Sequence, residues 1–155
     1  EERLQDSPVS MVAFSGETLE NRELTSFKDL ANVAPNMDIN GGIPNGGGSA
    51  AQIFIRGVGQ DDYSFPNEPG VGLYIDGVYI TRSVGGDFGF MDIERIEVLR
   101  GPQGTLYGKN TIGGAIKFVS RRPGQTPRAN LQLGIGSYGQ LEVRGAASGP
   151  LTSNL

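Results

Sequence analysis

Hydrophobic and polar positions change their period several times along this chain. From Val9 to Phe14, Val9, Met11 and Ala13 alternate with Ser10, Val12 and Phe14, which predicts a strand. Ser15 then offers an N-cap for a short helix containing Leu19. Ser26 with Asp29 three residues on resembles a capping box. Phe27, Leu30, Ala31 and Ala34 then fall on one helical face, and Pro35 ends that helix because the residue before proline avoids helical dihedrals. Residues 40–50 read as a loop, Gln52–Arg56 as a strand and residues 58–70 as a second loop. The sharpest local signal is Asp76-Gly77 between the apolar runs 72–75 and 78–80. Both central residues of a type I′ hairpin turn need positive φ, which this pair supplies. After a Gly-rich stretch over 81–90, strands are expected within Ile93–Leu99 and at Ala115–Val119, joined by a turn region that begins at Gly101-Pro102.

The texture changes after Arg121-Arg122-Pro123-Gly124. Ala129, Leu131, Leu133 and Ile135 alternate with Asn130, Gln132 and Gly134, and Leu141, Val143, Gly145 and Ala147 alternate with polar residues after the turn 136–139. Each arm is close to the ~9–11 residues of a strand that crosses a bilayer. An amphipathic hairpin in a soluble domain has the same pattern, so periodicity leaves both open. Two strands close no barrel, since the smallest need about eight. Membrane strands here would be part of something larger.

Composition narrows the chemistry. The chain has 155 residues with neither His nor Cys, so Ser-His-Asp and Cys-His catalysis, disulfides and His or Cys zinc sites are excluded. Glycine, at 25 residues, is more than twice its usual ~7% share, which predicts many tight turns. Residues 1–98 carry 16 acids against 6 bases, and residues 99–155 carry 1 acid against 7 bases. The basic part has no dense Lys/Arg run and few aromatics, so nucleic-acid binding is a poor reading.

Two glycine motifs fail on context. Gly134 to Gly139 spells G-x-G-x-x-G, but a strand follows instead of a helix, and no acid follows Glu142. Gly104 to Asn110 resembles a phosphate loop with one residue too few, and Asn110 stands where a magnesium-binding hydroxyl belongs. Acid pairs such as Asp61 with Asp62, and Asp87 with Asp92, read as solvated loop residues; they match neither a glycosidase cleft nor calcium-loop spacing.

Four segments together carry a resemblance: SFKDLANVAPNM (26–37), QIFIRG (52–57), VGLYIDGVYI (71–80) and IERIEVLRGPQGTLYGKNTIGGAIKFVSRRP (93–123). The last holds the order I-E-x-x-x-G-P, Y-G, G-G-x-I almost whole. The chain resembles the plug domain of TonB-dependent outer-membrane receptors over residues 1–124. Residues 125–155 then look like a linker and the first transmembrane strands of a barrel.

The resemblance implies an α+β fold, a small mixed β-sheet with short helices, which sits inside its own barrel domain in the Gram-negative outer membrane. It implies no enzyme and no cofactor. The implied function is gating and ligand sensing in active uptake of a scarce solute such as an iron-siderophore, cobalamin or a saccharide. A TonB protein would supply the pull through a contact box, expected upstream because nothing before Val9 resembles it. Two other classes stay open at this point: a Gly-rich extracellular recognition or adhesion module, and a small carboxylate hydrolase.

Solute contacts are expected on apical loops 41–50, 58–68 and 79–90, at one end of the sheet. Tyr63, Phe65, Tyr79 and Phe88 are the candidate aromatic contacts, with Asp61, Asp62 and Arg82 beside them. Arg56 and Arg100 each end a predicted strand and precede glycine. By resemblance they form an ionic latch to two barrel glutamates, a role that suits the planar, always-charged guanidinium. Within this chain alone they are expected to face solvent or to take Asp92 or Glu97 as partners.

Overall fold

The structure, a computed structural model, describes residues 10–41, 51–60, 68–81 and 92–150. The chain divides into two compact units, residues 1–120 and 121–155.

In the first unit, β1 (Ser10–Ser15) leads into α1 (Gly16–Asn21). The Ser15 hydroxyl caps α1 by accepting from the Thr18 N–H at 3.2 Å, as the sequence predicts. A six-residue 3₁₀ helix follows at Phe27–Asn32 in place of the expected α-helix. The Asp29 carboxylate accepts from the Ser26 and Thr25 N–H groups at 2.7 and 2.9 Å, so the predicted capping contact forms. Phe27 and Leu30 are fully buried; a three-residue turn stacks i and i+3, which suffices to bury that pair.

Two strands reach into the expected loops 40–50 and 58–70. Met37–Gly41 is β2, paired with β3 (Ala51–Ile55) from Met37↔Ile55 to Gly41↔Ala51. Asp38 and Asn40 are poor strand formers, but they alternate with Met37 and Ile39, which are buried. Val58–Gly59 is β4, joined to β3 by a two-residue turn at Arg56-Gly57 with φ 55° and 78°. Arg-Gly here adopts the positive φ values that Asp-Gly makes legible elsewhere. The rest of the predicted loop 41–50 falls outside the described residues.

The predicted hairpin forms as β5 (Val71–Ile75) and β6 (Val78–Ile80), with Asp76 and Gly77 at φ 50° and 83°. β7 (Ile93–Arg100), α2 (Gly104–Tyr107) and β8 (Gly114–Ser120) complete the unit. The five-stranded sheet has the order β1-β7-β8-β5-β6, and its β5–β8 pair is parallel while the others are antiparallel. The sheet is therefore mixed, and with its short helices the fold is α+β as expected.

One face of this sheet presents Phe14, Ile96, Val98, Ile116, Phe118, Val71 and Leu73. Against it lie the three-stranded sheet β2-β3-β4 and the 3₁₀ helix, contributing Ile39, Ile53, Ile55, Phe27 and Leu30. Phe27 and Phe118 meet edge to face at 5.5 Å in this core. At Gly114 a Cβ would stand 2.2 Å from the Leu99 carbonyl, so the close approach of β7 and β8 there requires glycine.

Residues 82–90 of the third expected apical loop, 79–90, lie outside the described residues, and Tyr79 and Ile80 at its start belong to β6. β6 and β7 both run antiparallel to β5 and β8, respectively, and β5 and β8 run parallel, so β6 and β7 point the same way.

The second unit is a hairpin of β9 (Arg128–Ile135) and β10 (Leu141–Ser148), in register from Leu141↔Ile135 to Ser148↔Arg128. A short 3₁₀ turn at Ser137–Gly139 joins them. Leu131, Leu133, Ile135, Leu141 and Val143 are all exposed, whereas Glu142 and Arg144 are half-buried and paired with each other. The hairpin thus presents an apolar row to its surroundings.

Candidate functional site

Strand alternation decides what each candidate residue can reach. On β7, Ile96 and Val98 face the core, so Arg100 takes the same side at the strand's end, opposite Ser10 of β1. The Arg56-Gly57 turn brings the second arginine to the same corner. Arg56 Nη2 donates to Ser10 Oγ at 3.3 Å, and Nη1 lies 3.7 Å from where a Cβ on Gly101 would stand. Two arginines 44 positions apart in sequence thus meet at one corner, around Ser10 and Gly101. Arg56 is exposed; Arg100 is half-buried, and its Nε is buried without a partner. No acid pairs with either arginine among the described residues.

The expected internal partners are out of reach, which corrects the sequence reading. Glu97 has the opposite parity to Arg100 and faces the other side of the sheet, where it accepts from Lys117 Nζ and Arg95 Nε at 2.7 Å each. Asp92 precedes the far end of β7, roughly 25 Å along an eight-residue strand. Burial pushes the Glu97 carboxyl up, but the Lys117 and Arg95 hydrogen bonds outweigh it and hold the carboxyl below its ordinary value. Lys117 is held up by the same carboxylate against the opposing effect of burial.

Beside this charged row lies an aromatic group the sequence reading missed. Tyr74 is buried and donates its hydroxyl to the Tyr107 carbonyl at 2.6 Å. Its ring meets Tyr79 at 5.3 Å and Tyr107 at 5.4 Å. Burial, with the neighbouring tyrosines, pushes the Tyr74 phenol up. The hairpin register Tyr74↔Tyr79 was the signal that could have located two of the three rings.

Tyr79 is the one candidate solute contact among the described residues. It sits within β6 rather than in a loop, half-buried, with its hydroxyl accepting from the Asn110 side-chain amide at 3.1 Å. Asp61, Asp62, Tyr63, Phe65, Arg82 and Phe88 lie outside the described residues. The stretch that resembled a phosphate loop forms α2 and a turn, in which Lys109 pairs with Glu68 at 2.5 Å.

With this geometry, three comparisons bear on function. The family described as the TonB-dependent receptor plug domain matches residues 3–115. The pesticin receptor of Yersinia pestis is 35% identical over 151 residues, covering 95% of this chain and 21% of that protein. A vitamin B12 transporter of Vibrio vulnificus is 30% identical over 147 residues, covering 92% of this chain and 23% of that protein. Among solved structures, the ferric yersiniabactin uptake receptor of Yersinia pestis aligns with TM-score 0.82 at 35% identity, over 95% of this chain and 22% of that one. The chain thus spans about a fifth of the length of these relatives.

Proposed function

The chain belongs to the TonB-dependent receptor plug domain family, and we propose that it gates a barrel through which a ferric siderophore is actively taken up. Its place is the outer membrane of a Gram-negative bacterium, as for the family's receptors. The family assignment replaces the adhesion-module and hydrolase readings. The observation that carries the iron-chelate reading is the likeness to the ferric yersiniabactin uptake receptor, which extends over 95% of this chain.

In this reading residues 1–124 form the plug, and residues 125–155 are the linker and first barrel strands. The exposed apolar row of the β9–β10 hairpin supports the second assignment, because apolar-out alternation suits lipid. A TonB protein pulls on a segment preceding β1. Tyr63, Phe65, Tyr79 and Phe88, with Asp61, Asp62 and Arg82, contact the solute. Arg56 and Arg100 latch the plug to acids of the barrel interior. Their convergence without an acid, and the unpartnered Arg100 Nε, support that role, since a buried guanidinium donor left unpaired is costly.

The full-length gene, placed in a host stripped of its own ferric receptors, is expected to restore uptake of radiolabelled iron from at least one of a set of ferric siderophores. Uptake should vanish when the host lacks TonB. Accumulation of cobalamin without iron would overturn the solute class, and uptake independent of TonB would overturn the transport mechanism.

A further inference from the structure

Residues 101–113 fold into a stiff corner next to the arginine pair. The Gly101 N–H donates to the Gly113 carbonyl and the Gln103 N–H to the Thr111 carbonyl, both at 2.9 Å. Thr111 is buried, and its hydroxyl donates to the Gly108 carbonyl at 2.8 Å, closing the turn 108–111 on itself. Asn110 adopts φ 68°, a left-handed conformation that asparagine tolerates better than most residues.

Two neighbouring side chains of this turn reach the hairpin. Lys109 reaches Glu68 at 2.5 Å, and the Gly113 N–H binds the Gly70 carbonyl at 2.9 Å in the same neighbourhood. Asn110 reaches the Tyr79 hydroxyl at 3.1 Å. Glu68–Gly70 leads into β5, and Tyr79 lies near the end of β6. One turn, distant in sequence from both, thus holds the entrance and the exit of the β5–β6 hairpin.

We propose that Lys109 and Asn110 are positioning residues that fix both outer ends of the β5–β6 hairpin to the single turn 108–111. Its functional consequence, that Tyr79 is held in place at the hairpin's exit, rests on the solute reading above. The two ends are held by different bonds. Glu68 and Lys109 form an exposed ion pair, in which the Lys109 hydrogen bond holds the Glu68 carboxyl below its ordinary value. Tyr79 is held by a neutral hydrogen bond and by stacking on Tyr74. Asn110 also hydrogen-bonds Glu68, so the two ends share the turn, but the ion pair and the Tyr79 hydroxyl can each be removed by one substitution.

The test is amide hydrogen exchange in the full-length receptor, without solute. Lys109→Glu is expected to speed exchange at residues 68–71 by about two- to fivefold, the range of an exposed ion pair turned repulsive. Residues 78–81 should change less. Adding Glu68→Lys should restore the slow exchange, which a merely structural disturbance would not do. Tyr79→Phe keeps the ring and removes the hydroxyl, and it should speed exchange at 78–81 by about two- to fivefold, with a smaller change at 68–71. The proposal is overturned if either variant leaves its own end unchanged, or if the reversed pair fails to restore exchange. Failure of the solute reading would show instead in the uptake experiment, which the exchange rates do not touch.

Discussion

Truncating both arginines, Arg56→Ala with Arg100→Ala, should have a small effect in one setting and a large one in another. In the 155-residue chain, Arg56 is exposed and makes one hydrogen bond to a neutral hydroxyl at 3.3 Å. Losing it costs about 0.5 kcal/mol. The left-handed backbone at Arg56 adds nothing, because alanine carries the same Cβ. At Arg100 two terms oppose. Removing the unpartnered Nε relieves a desolvation cost of about 1–3 kcal/mol, while losing the buried part of the stem forfeits about 0.8 kcal/mol per methylene. The double variant should therefore stay within about 1 kcal/mol of the parent, or roughly 3 °C in melting temperature for a chain of this size.

In the full-length receptor, where acids of the barrel interior are proposed to pair with both guanidiniums, the same change strands those acids at about 3–5 kcal/mol for each buried pair. Urea melts of the chain followed by circular dichroism give the first number. Protease sensitivity of the plug in the detergent-extracted receptor, with vancomycin entry into intact cells, reads the second. Loss of 3 kcal/mol or more in the chain alone, with no greater loss in the receptor, would show that the arginines stabilise the plug internally and would refute the latch.

Other consequences follow from the described contacts. Phe27→Ala empties a fully buried site against Phe118 and should cost about 3–5 kcal/mol in a urea melt. Glu97 has a lowered carboxyl value in the fold, so its contribution is present above the ordinary glutamate range and is lost as pH falls through the lowered folded value. Glu97→Gln should remove that acid-side slope, worth about 1 kcal/mol for a half-exposed pair, from the plot of urea midpoint against pH. Gly77→Ala, at φ 83°, should cost about 1–2 kcal/mol, measured in the same way. A chain ending at Gly124 should keep the urea midpoint of the whole chain, since residues 1–120 form a compact unit by themselves.

The sequence by itself determined what depends on neighbours a few positions apart. Asp76-Gly77 specified its hairpin because positive φ at both centres is a local property of those two residues. The Ser15 cap, the Ser26–Asp29 contact and the alternation in β9 and β10 are local in the same sense. The long 93–123 segment carried the family by its pattern before any contact was known. Tertiary structure alone decided the parallel pairing of β5 with β8, because backbone hydrogen bonds carry no side-chain code for partner choice. It also decided that Met-Asp-Ile-Asn-Gly and Val-Gly become strands, each held by β3 despite its weak propensity. Arg100 could not be separated from Glu97 by composition; the pleat put them on opposite faces, giving one a lysine and leaving the other without an acid. Arg56 joined Arg100 only when an Arg-Gly turn and a β1–β7 register brought Ser10 between them, a meeting fixed by contacts that no short stretch of sequence contains.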